Sequence, residues 1–173
     1  MTVPDPAATT GAAATETAYL GIGANLGDAQ AAVRTAIAEC ARLPLTRLLA
    51  ASSLYRSAPI DSTGNDYINA VVRLATALAP AELLCAMQAV ERRHGRERPW
   101  RNAPRTLDLD LLLFGTLRMQ APALTLPHPR MHERAFVLLP LAEIAPALEV
   151  PGQGRLTELL EGVADQRIER LVE

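Results

Sequence analysis

Pro104-Arg-Thr-Leu-Asp-Leu-Asp-Leu-Leu-Leu-Phe114 is the stretch on which the fold turns: two acids, Asp108 and Asp110, stand two residues apart in an otherwise apolar run. Successive side chains of a strand point to opposite faces. Asp108 and Asp110 therefore share one face, and Leu107, Leu109 and Leu111 share the other. Side-by-side carboxylates repel, and burying them without partners costs several kcal/mol each on the order of magnitude, so this face calls for a cation. One reading is a divalent metal. The alternative is the solvent-facing side of a half-buried strand, where Asp is tolerated against its β propensity.

Upstream, six arginines fall between Arg92 and Arg105, and Gly95, Pro99 and Pro104 keep 94–104 out of regular structure. Guanidinium groups pair bidentately with polyphosphate oxygens, and carboxylates hold the magnesium that bridges them, so an arginine loop running into a two-carboxylate strand suits phosphoryl transfer. A solvated surface loop is the other reading. Such a loop is expected to close over bound polyphosphate.

Further outward, 18–23 reads as a buried strand leaving through a Gly-rich turn, and Asp28 caps a helix over 29–43 that Pro44 stops. Residues 46–55 are β-compatible, and 57–65 is a loop by composition. Over 67–78 the alternation puts Ile68, Ala70, Val72 and Leu74 on one face, and Tyr67, Asn69, Val71 and Arg73 on the other. Pro80 opens a helix burying Leu83, Leu84, Met87 and Val90, with Gln88 and Glu91 three apart on one side. A helix runs from Ala135 to Ile144, and the tail over 155–172 is predicted to be helical and amphipathic. The order β-α-β-β-α-β with further helices fits a layered α+β domain.

With 173 residues the chain supports one domain, expected over 18–173 after a disordered leader over 1–17. The 17 basic and 19 acidic residues leave a net charge of -2, so no global field draws nucleic acid or an anionic membrane. Every basic residue is Arg, which excludes a lysine Schiff base or a P-loop lysine. Gly23 to Gly27 lacks both the GxGxxG and the GxxxxGK[ST] spacing and reads as turn chemistry. Cys40 and Cys85 read as reduced packing residues, and with no signal peptide or apolar span the compartment reads as cytoplasmic. His94 and His132 lack partners at ligand spacing, which argues against zinc.

Five blocks in order carry a resemblance: Ala18-Tyr-Leu-Gly-Ile-Gly-Ala-Asn-Leu-Gly27 with Ser53-Leu-Tyr-Arg-Ser57, then Asp66-Tyr-Ile-Asn-Ala-Val71, then Gly95-Arg96, then Arg101-Asn-Ala-Pro-Arg-Thr-Leu-Asp-Leu-Asp110, then Leu126-Pro-His-Pro-Arg-Met-His-Glu-Arg-Ala-Phe136. Over 18–151 the chain resembles the bacterial 6-hydroxymethyl-7,8-dihydropterin pyrophosphokinases of folate synthesis. The resemblance implies a ferredoxin-like α+β sandwich with a mostly antiparallel sheet. It implies transfer of the β,γ-diphosphate of ATP, the co-substrate, to the pterin hydroxymethyl group with release of AMP. Asp108 and Asp110 would carry two Mg2+ ions. Arg96 and Arg105 would steady the migrating phosphates. Arg98, Arg105, His128 and Arg134 would help hold ATP, with Gln88, Glu91, Leu111 and Thr125 nearby. Tyr67 and Phe136 would sandwich the pterin, and Asn69 would read its amide edge together with backbone groups at Ser57, Ala58 and Pro59. The partners implied are these two small molecules, with neither nucleic acid nor membrane, and a monomer.

The chain departs from the family pattern in two places. Asn102-Ala103 stands where Trp-Gly is common, with Trp100 two positions earlier, and Ser57-Ala58-Pro59 replaces Thr-Pro-Pro. Two rivals have different consequences. A non-catalytic ferredoxin-like binding module leaves the paired aspartates without a role. A different two-metal nucleotidyl or phosphotransferase would differ in its products, free pyrophosphate marking nucleotidyl transfer.

Overall fold

A computed structural model describes residues 13–60, 63–95 and 106–172. The first strand, β1 (Glu16–Ala24), begins two residues before the expected start of the domain. Helix α1 (Ala29–Cys40) follows, with the Asp28 side chain accepting from the Ala31 amide at 3.0 Å as its N-cap. It ends at Cys40 rather than reaching Leu43. Then come β2 (Thr46–Ala51), β3 (Tyr55–Ser57), β4 (Tyr67–Thr76), α2 (Pro80–Arg93) and β5 (Asp108–Phe114). The C-terminal part holds a small ribbon, β6 (Met119–Gln120) with β7 (Thr125–Leu126), then α3 (Ala135–Ile144), the ribbon β8 (Glu149–Val150) with β9 (Gly154–Arg155), α4 (Leu156–Glu161) and β10 (Ile168–Arg170).

Six of these strands form one antiparallel sheet in the order β10-β3-β4-β1-β5, with β2 also on β4. This is the ferredoxin-like α+β arrangement expected. β2 and β3 share one edge of β4 because the chain leaves the ladder between them. At the break, Ser52 donates its amide to the Val71 carbonyl and its hydroxyl accepts from the Val71 amide, each at 2.9 Å, so a side chain stands in for a rung. The stretch 46–55 is thus two strands rather than one, and Ser57 ends β3 opposite Tyr67 instead of opening a loop.

The sheet has two unlike faces. On one, Ala18, Leu20 and Ile22 of β1, Ile68, Ala70, Val72 and Leu74 of β4, and Leu109 and Leu111 of β5 are buried under α1 and α2 with Val33, Leu83, Met87 and Val90. On the other, Tyr19, Val71, Leu112 and Leu113 pack against Leu138 and Leu141 of α3 and Leu156 of α4. Leu112 and Leu113 both reach this second cluster because the β1–β5 register shifts between Tyr19 and Leu20.

Further sequence expectations are corrected. The tail is helical only over α4, and after Gly162 it pairs as β10 with the edge of β3, an outcome set by a partner far along the chain. Cys85 is exposed rather than packed, whereas Cys40 is buried. Gly23 and Ala24 continue β1 rather than opening the turn, which begins only after Ala24.

Candidate active site

Where α3 stops covering its face of the sheet, a pocket opens. Gly21, Gly23, Ser57, Ala58, Tyr67, Asn69, Asp108, Asp110, Arg130, Arg134 and Phe136 are among the residues that line it. The strand register explains its floor. Asn69 faces Gly23 across one ladder and Gly23 faces Asp108 across the next, while Val71, Gly21 and Asp110 form the neighbouring row. Strands lie about 4.8 Å apart, so the missing side chain at Gly23 leaves roughly 10 Å between the Asn69 and Asp108 positions. A Cβ at Gly23 would stand 3.2 Å from Asn69 Oδ1. The glycines therefore serve here as bare floor.

One end of this gap is built for a polar heterocycle edge. Asn69 is buried and its Nδ2 donates to Ser57 Oγ at 2.8 Å, which directs its carbonyl oxygen toward Gly23. Tyr67 and Phe136, from β4 and from the start of α3, supply aromatic surface. The Arg134 guanidinium lies 5.5 Å from the centroid of the Phe136 ring and so backs that ring.

The other end is charged. Asp108 and Asp110 project from β5 on the α3 side of the sheet, with Asp110 keeping 38 % of its side chain open to solvent. His128 Nε2 stands 4.0 Å from Asp110 Oδ1. The His128 Nδ1 accepts from the Arg130 amide at 3.2 Å, which leaves the ring proton on Nε2, facing the carboxylates. Burial first, then the Arg134 guanidinium, pushes the His128 pKa down to about 4 against the pull of Asp108, so the ring is neutral at pH 7. Burial also lowers the Arg134 pKa from its ordinary value, and the charge of Asp110 opposes the shift.

Among the described residues no group of three or more His, Cys, Asp or Glu could hold a metal ion. Two carboxylates alone suit an ion completed by water and substrate phosphate oxygens, which is the usual donor set for magnesium and not for structural zinc.

The sequence signature of the 7,8-dihydro-6-hydroxymethylpterin-pyrophosphokinase (HPPK) family matches residues 19–146. The chain belongs to this family. It is 46% identical over 154 residues to the 2-amino-4-hydroxy-6-hydroxymethyldihydropteridine pyrophosphokinase of Pseudomonas aeruginosa, covering 88% of this chain and 95% of that one. The enzyme of the same name from Haemophilus influenzae is 40% identical over 156 residues, covering 90% and 98%. Among solved structures, wild-type Plasmodium falciparum HPPK-DHPS with STZ-DHP superposes with a TM-score of 0.66 at 15% identity. The match covers 87% of this chain and 42% of that longer one, and at this identity it shows the fold alone.

Within this HPPK-family chain the expected site residues separate into two groups. Ser57, Ala58, Tyr67, Asn69, Asp108, Asp110, Arg134 and Phe136 meet in the pocket. Pro59, partly buried, follows Ala58 without being among its lining residues. The others, His128 apart, lie on α2, β5 and β7, and α2 and β7 both pack against β5. Gln88 is exposed on α2, Thr125 is half-buried in β7, and Leu111 is buried on the helix-covered face, so a ligand there meets Leu111 only through its backbone. Glu91, also buried, accepts from the Leu109 amide at 2.7 Å and so holds the residue between the two aspartates. Arg96, Arg98 and Arg105, together with the rest of 96–105, lie outside the described residues.

Sequence reasoning missed Arg130 and the two glycines. Arg130 is exposed, lines the pocket and pairs with Glu133 at 3.3 Å. Its signal was its place in the Pro-His-Pro-Arg turn four residues before Arg134. The signal for Gly21 and Gly23 was their period-two spacing, which puts both on the face of Tyr19.

Proposed function

We infer that this chain transfers the β,γ-diphosphate of ATP to the hydroxymethyl group of 6-hydroxymethyl-7,8-dihydropterin, giving the pterin diphosphate and AMP in folate synthesis. The observation that carries the reading is the row Asn69, Gly23, Asp108, where an amide-reading end and a carboxylate end face each other across a bare floor. A flat heterocycle lies between Tyr67 and Phe136 with its amide edge on Asn69, supported by Ser57 and the backbone at Ala58 and Pro59. Its hydroxymethyl arm then points toward Asp108 and Asp110. ATP lies along the outer edge of β5, among Gln88, Glu91, Leu111, Thr125 and His128.

In the reaction, the hydroxymethyl oxygen bonds to the β-phosphorus, the bond from that phosphorus to the α,β-bridging oxygen breaks, AMP departs and the hydroxyl proton is released. Asp108 and Asp110 would hold two magnesium ions, which neutralise the phosphate charge. Neutral His128 donates from Nε2 to a phosphate oxygen without adding charge. Arg134 and Phe136 hold each other and so keep phosphate and ring contacts in one frame. Arg96 and Arg105 steady the migrating group and Arg98 contacts ATP. These arginines complete a site that orients its reactants, which is the main need of phosphoryl transfer.

The same reading makes the enzyme a cytoplasmic monomer, with its catalytic domain running from β1 at Glu16 rather than from residue 18. No helix of the described residues is long and apolar enough to cross a membrane. AMP release from ATP and magnesium, measured with and without 6-hydroxymethyl-7,8-dihydropterin, tests the function. Pterin-dependent AMP is expected, and pyrophosphate in its place rules the reading out.

A further inference from the structure

Away from the pocket, Glu143 in the last turn of α3 gathers four donors from two other elements and the β2–β3 break. Its carboxylate accepts from the Ser53 amide at 3.0 and 3.1 Å, from the Ser53 hydroxyl at 2.8 Å, from the Tyr55 hydroxyl at 2.7 Å and from Arg170 of β10 at 3.3 Å. Arg170 also donates to the Ser53 hydroxyl at 3.0 Å, which closes the network. Burial works to raise the Glu143 pKa, but hydrogen bonds from Tyr55 and Ser53 and the charge of Arg170 hold it below the ordinary glutamate value. Burial, and then the bond to Glu143, pushes the Tyr55 phenol up to about 12. The network is thus a carboxylate held ionised by neutral and cationic donors.

Both elements that it joins continue into the pocket. From Tyr55, β3 reaches Ser57, the partner of Asn69, in two residues. From Glu143, α3 runs back seven residues, about 10 Å of helix rise, to Phe136. One wall carries the amide-reading pair and the other carries a ring face. The other end of α3 is tied separately, since Gln166 accepts from the Ala135 amide at 2.9 Å and donates to the Glu133 carbonyl at 2.7 Å. Arg73 of β4 donates to the Ile144 carbonyl at 3.4 Å and apolar packing seats α3 on β4, while the Glu143 contacts join α3 to β3 directly.

We propose that Glu143 is a positioning residue that sets the gap between the Phe136 wall and the Ser57–Asn69 wall, and through it the affinity for the pterin. The inference rests on the function read above. Of the groups assigned to ATP, Gln88, Glu91, Leu111, Thr125 and His128 belong to neither wall, whereas Arg134, which backs Phe136, is shared with the pterin side. A change at Glu143 therefore acts mainly on the pterin, while a merely structural contact would alter both affinities equally or neither.

Calorimetry on wild type, Glu143→Ala, Glu143→Gln and Tyr55→Phe, with 6-hydroxymethyl-7,8-dihydropterin and with a non-hydrolysable ATP analogue plus magnesium, tests it. Glu143→Ala is expected to weaken pterin binding about tenfold or more while the ATP analogue changes by less than about twofold. The steady-state counterpart is a raised pterin KM with kcat nearly kept. Glu143→Gln, which retains a carbonyl acceptor for the Ser53 amide, should recover part of the loss. Tyr55→Phe removes one donor and leaves the core in place, so it should weaken pterin binding about threefold, and it carries the test if Glu143→Ala does not fold. Unchanged pterin affinity in a folded variant, or equal loss for both ligands, overturns the proposal. Wild-type protein that binds no pterin overturns the functional reading itself, and that result is distinct because it appears before any substitution.

Discussion

The two faces of the central sheet are made from the same strands and do opposite things. Under α1 and α2, positions 18, 20 and 22 of β1 and 68, 70, 72 and 74 of β4 are all apolar and buried. On the other face the intervening positions run Tyr19, Gly21, Gly23 and Tyr67, Asn69, Val71, and only those beneath α3 and α4 are packed. A strand residue is free to be polar or absent only where no helix needs its surface. The site therefore sits where helix cover ends, and the contrast predicts which substitutions cost activity and which cost stability.

The largest effect belongs to the aspartates. Asp108→Ala and Asp110→Ala should each lower turnover by orders of magnitude with the thermal midpoint nearly unchanged, since both project from the open face. Leu109→Ala, between them on the sealed face, should instead cost about 2–5 kcal/mol of stability by leaving a cavity. Denaturant titration alongside an AMP assay separates the two, and a stability loss shared by all three variants would break the contrast.

Next in size are the aromatic walls. Phe136→Ala and Tyr67→Ala should each weaken pterin binding by roughly 1–3 kcal/mol, by analogy with bases stacked on aromatic side chains, and weaken ATP binding less. Equal losses for both ligands in calorimetry would mean that the pocket has been assigned to the wrong substrate.

A smaller effect sharpens the role of the floor. In Gly23→Ala the added methyl meets Asn69 Oδ1 at 3.2 Å, while in Gly21→Ala it meets Leu112 at an ordinary 3.5 Å. Pterin affinity should fall several-fold, about 1 kcal/mol, for the first and less for the second. The reverse order in a binding titration would place the ring elsewhere on the sheet.

The smallest effect is on pH dependence. The pKa of Glu143 is lower in the folded chain than its ordinary value of 4.5, so it stabilises the fold above that pH and loses the contribution as pH falls through the folded value. Wild type minus Glu143→Gln stability, followed from pH 6 down to the acid range, should therefore shrink below about pH 4.5. A difference that stays constant with pH would mean that the carboxylate charge contributes nothing to docking α3.

Much of this was legible from the chain alone. The face-sharing of Asp108 with Asp110, and of Tyr67 with Asn69, follows from strand alternation, and Asp28 as a helix cap follows from local hydrogen bonding. Such features depend on residues within a few positions of one another, which is why a sequence displays them. Other features depend on which strand lies beside which. The tail becomes β10 because β3 offers it an open edge. Gly21 and Gly23 become floor because Asn69 and Asp108 flank β1 on either side, and Glu143 becomes a clamp only when α3 crosses β3. Periodicity and capping carry the local terms of the free energy, whereas long-range pairing is decided by chain closure and packing, which a linear reading does not contain.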